Sequence, residues 1–139
     1  MKLRVLLDTG PLVAFLDESE ARHAWAAEKF ALVAAPLITC EAVLTEAFYL
    51  LRNHSRALGK LGEWVSSGVI ETGFNLAASR ERVVALMQRY AQLPMSFADA
   101  CLLCMAEQMP GRTVFTMDSD FLVYRLADGS PVNTLRPET

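Results

Sequence analysis

Apolar residues along this chain fall into two alternating rhythms. Short continuous apolar runs are separated by longer stretches in which apolar positions recur every three to four residues. The first run, "LRVLL" at 3–7, reads as a buried strand. "SEARHAWAAEKFALVA" at 19–34 reads as a helix with Ser19 as its N-cap. "PLIT" at 36–39 is a short strand, and "EAVLTEAFYLLRN" at 41–53 has helical periodicity. "SRALGKLGEWVSSG" at 55–68 is a helix closed by Gly68, and "VIET" at 69–72 is strand-like. Asn75 caps an amphipathic helix over 75–93, and Ser96 opens another over 96–109. "TVFTM" at 113–117 is a strand, "SDFLVYRL" at 119–126 a short helix, and "PVNTL" at 131–135 a last strand.

Strands that alternate with helices predict parallel crossovers, hence an α/β/α sandwich around a mostly parallel sheet. The 139 residues fit one domain over 1–139, long enough for a sizeable core. Apolar residues make up 53% of the chain, which excludes disorder and hints at a self-association surface. The longest uncharged run, 30–40, is broken by Pro36 and too short to span a bilayer. No signal-peptide pattern opens the chain, so a soluble, cytoplasmic protein is expected. Cys40, Cys101 and Cys104 are an odd set, and the Cys-x-x-Cys pair lies in an apolar helical run. Cys101 and Cys104 read as small core residues, and the odd count argues against a disulfide framework.

Sites in parallel sheets form beyond the carboxyl ends of the strands. Asp8 ends the first strand and Asp118 follows the strand at 113–117. Two further acids sit oddly for solubility. Glu46 has Ala42, Val43, Tyr49 and Leu50 as helical neighbours, which predicts a buried position. Asp99 is the one charge between Phe97 and Ala106. Each has an ordinary explanation: a turn for Asp8, a salt bridge to Arg52 or Arg56 for Glu46, a capping box for Asp99, a first-turn acid for Asp118. Four together point to one site. Converged carboxylates repel, so an all-oxygen set with no His or Cys calls for Mg²⁺ or Mn²⁺. Such an ion polarises a phosphoryl oxygen and acidifies a water. Removing these four carboxylates from a net charge of −3 leaves +1, so the acidic total does not forbid a polyanionic substrate.

"LLDTGPLVAFLD", "ITCEAVLTEAFYLL", "LPMSFADACLLCMAE" and "VFTMDSDF" resemble, in order, the four blocks of the PIN domain. The resemblance runs from Leu3 to about Pro131 and is closest to VapC-type ribonuclease toxins. It implies catalytic and metal-ligating roles for Asp8, Glu46, Asp99 and Asp118, with Asp8 and Asp99 foremost. It also places a recurrent threonine at Thr116 and a histidine at His23, which we read as helix packing. Thr9, Thr116 and Asp120 are supporting candidates, Asp120 because "DSD" offers a second acid. The implied function is a Mg²⁺- or Mn²⁺-dependent endoribonuclease acting on RNA. A homodimer and inhibition by a small cognate antitoxin go with it.

Arg52 and Arg56 are candidates for steering RNA, although a solvated helix face explains them as well. Three rival readings stand beside the toxin. One is an RNA-processing nuclease of the same fold, and another is a catalytically idle binding module. An aspartic protease is disfavoured, because this chain has one Asp-Thr-Gly and mostly helical patterning.

Overall fold

The computed structural model describes residues 1–138. Its elements are β1 (Val5–Leu7), α1 (Thr9–Leu16), α2 (His23–Phe30), β2 (Leu37–Thr39), α3 (Glu41–Leu50) and α4 (Ser55–Ser67). They continue as β3 (Ile70–Thr72), α5 (Leu76–Arg89), α6 (Phe97–Gln108), β4 (Thr113–Phe115) and β5 (Thr134–Leu135). A single turn of 3-10 helix, Ser119–Leu122, follows β4. The five strands form one parallel sheet in the order β3-β2-β1-β4-β5. This is the predicted α/β sandwich.

Alternation along each three-residue strand builds the layers. On β1, Leu6 enters one core with Val114 of β4 and Val83, Leu86, Leu102 and Leu103 of α5 and α6. Val5 and Leu7 point the other way, into a core with Leu12, Ala47, Leu61 and Phe115. All of these are buried. A strand with both faces covered needs no polar position, which is why "VLL" carries none until Asp8. The carboxyl end of β1 is therefore held from both sides.

α6 is apolar on nearly every face because it is enclosed: all nine residues from Ala98 to Ala106 are buried. Its N-terminus is fixed by Ser96, whose Oγ accepts the Asp99 N–H at 3.0 Å. A bidentate pair, Arg82 Nε and Nη2 to the Glu107 carboxylate at 2.9 and 2.6 Å, clamps it to α5. Asn75 caps α5 and Gly68 closes α4 with φ +83°, both as expected.

Two local expectations differ. Ser19 caps no helix: its N–H and O–H both donate to Asp17 Oδ1, which makes a polar turn, and α2 starts later, at His23. The region after β4 forms only one 3-10 turn, capped by Asp118, rather than a helix over 119–126, because Arg125 and Leu126 turn away to pair with Pro131 and Ser130. The three cysteines are free and buried. Among the described residues, no helix is long and apolar enough to cross a membrane.

Leu102 is fully buried against the sheet. Leu102→Ala is expected to lose about 3 kcal/mol through the cavity it leaves. Urea unfolding should show a lower midpoint with an unchanged m-value.

Candidate metal centre

Beyond the carboxyl ends of β1 and β4 lies a pocket of about 400 Å³, lined by Asp8, Thr9, Glu46, Asp99, Asp118 and Asp120 together with small and apolar neighbours. Four elements deliver these acids. Asp8 is the hinge between β1 and α1. Asp99 is in the first turn of α6, Asp118 and Asp120 frame the 3-10 turn, and Glu46 is on α3.

Asp8 is buried and immobilised. Its Oδ1 accepts the Thr9 N–H at 2.8 Å, and its Oδ2 accepts the Thr116 O–H at 2.6 Å. Thr116 Oγ1 in turn accepts the Asp118 N–H at 3.0 Å, so one hydroxyl couples the two strand ends. Asp99 is buried too, and its Oδ2 accepts the Tyr124 O–H at 3.0 Å. The capping box is therefore half made: Ser96 caps the Asp99 N–H, and the Asp99 carboxylate serves Tyr124 and the pocket.

Carboxylate oxygens of Asp99, Asp118 and Asp120 lie within 4.8 Å of one another. A dication bonded to oxygen at about 2.1 Å spans such a gap with small side-chain adjustments. The donor set is all oxygen, which suits Mg²⁺ or Mn²⁺ rather than zinc. Thr9 also lines the pocket, and its Oγ1 is enclosed with no hydrogen-bond partner among the described residues.

The electrostatics agree. Burial pushes the Asp8 carboxyl above its ordinary value, with Asp118 and Glu46 adding to the rise and the Thr116 and Thr9 hydrogen bonds opposing it. Asp99 is pushed up to about 7, first by burial and then by the charge of Asp8. Tyr124 is raised as well, by burial and by the charge on Asp99, and stays a proton donor. Two adjacent carboxyls that resist ionisation mark a site short of positive charge.

The predicted residues are thus largely brought together, with changes of rank. Asp120 belongs to the tight oxygen cluster, whereas Asp8 and Glu46 stand outside it while lining the same pocket. Glu46 is exposed and not buried as its neighbours suggested. The buried stripe of α3 is Val43 and Ala47, continued by Leu51. Tyr49 and Leu50 are themselves exposed, at 61% and 46%, so the apolar face inferred around Glu46 faces outward. No ion pair to Glu46 forms among the described residues.

Arg52 and Arg56 do not reach the pocket. Arg52 lies 3.9 Å over the Tyr49 ring and donates to the Tyr49 carbonyl. Arg56 lines a separate depression with Asp17 and His54. His23 packs as expected, its Nδ1–H donating to the Ala14 carbonyl at 2.9 Å. Tyr124 went unnoticed in the sequence. A tyrosine buried completely must find an acceptor for its hydroxyl, but nothing in the pattern says which.

With this geometry in view, the comparison with known proteins is decisive about the family. The PIN domain model matches residues 5–126. The chain belongs to the PIN-domain family. Among similar proteins is Ribonuclease VapC26 of Mycobacterium tuberculosis, 27% identical over 117 residues, which span 82% of this chain and 86% of that one. The crystal structure of Mycobacterium tuberculosis VapC20, described as a toxin that cleaves the sarcin-ricin loop, superposes with a TM-score of 0.77. It is 22% identical, and the match covers 91% of this PIN domain and 99% of that chain, which establishes the fold.

A pH dependence follows from Asp99. In the metal-free fold its carboxyl holds a proton up to about pH 7, whereas the ordinary value is 3.8. The folded chain then binds more protons than the unfolded one between those limits. The Asp99 contribution to stability therefore falls as pH rises through this window, and levels off above it. Thermal melts of wild type and Asp99→Asn across the range should converge at low pH and separate above pH 7, with the variant the more stable. Mg²⁺ should raise the wild-type midpoint more above the window than below it, because the ion binds the ionised carboxylate.

Proposed function

We propose that this PIN domain is a metal-dependent endoribonuclease that hydrolyses RNA phosphodiesters, and that it is the toxin of a type II toxin–antitoxin pair. The observation that carries the reading is the convergence of Asp99, Asp118 and Asp120 oxygens beside a braced Asp8. The names of its relatives, a ribonuclease and an RNA-cleaving toxin, support the substrate class. We take the chain as one domain working in the cytoplasm as a homodimer, with a small cognate antitoxin as its inhibitor.

Asp99, Asp118 and Asp120 would hold Mg²⁺ or Mn²⁺, with Asp8 and Glu46 completing the negative wall. The ion, when bound, supplies positive charge against a phosphoryl oxygen and lowers the pKa of a nearby water. The chain supplies the positioning. Thr116 and the Thr9 N–H occupy both Asp8 oxygens and fix its orientation. Tyr124 holds one Asp99 oxygen, so the other is left for the pocket. Burial around Asp8 and Asp99 keeps the local dielectric low, which strengthens each of these interactions.

Purified protein should cut total cellular RNA with Mg²⁺ or Mn²⁺ and lose the activity on chelation. Asp8→Asn and Asp99→Asn should each lower the rate by about 100-fold or more, the scale of losing one electrostatic group at a reacting centre. Thr116→Val, which keeps the shape and removes the brace, should cost roughly 10- to 100-fold. Full activity in both Asn variants, or cleavage that ignores chelation, would falsify the metal mechanism. Growth arrest on expression, relieved by co-expressing the adjacent small reading frame, separates a toxin from an RNA-processing enzyme. No cleavage of any RNA leaves the idle binding module.

A further inference from the structure

Another depression, of about 570 Å³, opens between α2 and the chain from β5 onward. Its wall includes Arg22, Trp25, Lys29, Leu135 and Arg136, and also the acids Glu28 and Glu138. Arg22, Trp25 and Lys29 share one face of α2 by their spacing. Glu28 Oε1 lies 3.4 Å from Lys29 Nζ, so that pair is internally compensated. Arg22 and Arg136 make no ion pair among the described residues. Arg136 Nε is enclosed without a hydrogen-bond partner there, and Arg136 as a whole is half-buried, so its guanidinium charge is left uncompensated in the groove wall.

The groove is also next to the acid pocket. Leu135 pairs with Phe115, and its carbonyl accepts the N–H of Thr116, the residue that braces Asp8. Trp25 packs edge-on against the same Phe115 at 5.7 Å. One strand spacing, about 4.8 Å, therefore separates Thr116 from the groove wall at Leu135.

We propose that this groove is the track for the RNA strand adjoining the cleaved phosphodiester. Arg22 and Arg136 take a backbone phosphate, and Trp25 gives a neighbouring base an apolar wall. The proposal rests on the ribonuclease reading and adds where the rest of the substrate lies. It fills the place left by Arg52 and Arg56, which stand away from the acid pocket. A polyanion leaving a pocket of carboxylates needs positive charge within the next nucleotide or two, and these guanidiniums line the depression on the neighbouring strand.

The test uses the full chain carrying Asp99→Asn, so that bound RNA is not consumed. Its probes are a labelled RNA hairpin with a single-stranded loop and an unstructured strand of equal length. Adding Arg22→Ala and Arg136→Ala together should weaken binding of at least one probe about tenfold. The log–log salt dependence should flatten by about 1, as losing one or two phosphate contacts requires. Arg80→Ala, on the exposed face of α5, should change neither. With Trp64→Phe leaving Trp25 as the single tryptophan, RNA should quench its emission. Arg22→Ala alone, at an exposed helix start whose side chain makes no capping bond, guards against misfolding of the double variant. Unchanged affinity and salt slope in these variants, or no RNA binding by the parent at low salt, overturn the groove. Wild type cutting RNA while Arg22→Ala/Arg136→Ala keeps the same KM would sink the groove and leave the ribonuclease standing. Wild type cutting no RNA removes the ribonuclease reading itself.

Discussion

Like charges drawn together at the end of a buried sheet are the constraint around which this molecule is arranged. Five carboxylates line one pocket, and two of them, Asp8 and Asp99, are buried. Left alone they would repel one another or take up protons, and the raised affinity of Asp99 for its proton expresses that tension. The fold withstands it by fixing three of these acids through hydrogen bonds that do not neutralise the pocket. Thr116 and the Thr9 N–H hold Asp8, Tyr124 holds Asp99, and the Asp120 N–H holds Asp118. These donors orient oxygens without adding a full positive charge. The unmet demand is for a cation.

The two cores make such an arrangement affordable in structural terms. Val5 and Leu7 bury into one layer and Leu6 into the other, so the end of β1 cannot drift from the start of α6. α6 is enclosed along nine consecutive residues and clamped to α5 by Arg82 and Glu107. A carboxylate in its first turn is thus positioned by packing far from the pocket. Interiors at crystalline density transmit small misplacements, so rigid backing is what keeps the oxygens within common reach of one ion.

Much of this was legible in the chain, and the failures have physical causes. β1, α3 to α6 and the sites of Asp8, Asp99 and Asp118 follow from local pattern, because strand ends and capped helix starts are written in consecutive residues. Glu46 was misread because Tyr49 and Leu50 look like core residues, yet helical spacing gives the neighbours of a residue and not the side that the sheet occupies. Ser19 was misread because its hydroxyl found Asp17 two residues back, a competitor that helix periodicity does not weigh. The place of Asp120 in the tight cluster and the role of Tyr124 depend on a one-turn 3-10 segment after β4, capped by Asp118, and on the contacts of Tyr124 with Asp99 and Tyr90. Long-range pairing of that kind leaves little periodic trace.

Charge placement resolves the apparent conflict between an acidic protein and a polyanionic substrate. A net charge of −3 averages over two depressions with opposite preferences. The acids are concentrated where a dication would offset part of the local negative charge. Arg22 and Arg136 stand in the other depression, without ion pairs among the described residues. Fields at this range are screened within roughly 10 Å at moderate salt, so what a phosphate meets is the nearest wall and not the total. The separation also keeps the two sets of charges from pairing directly. Positive charge placed inside the acid pocket would pair with Asp8 or Asp99 and exclude the ion. Set one strand away, beyond β4, it can hold a substrate backbone while the carboxylates remain free for the metal.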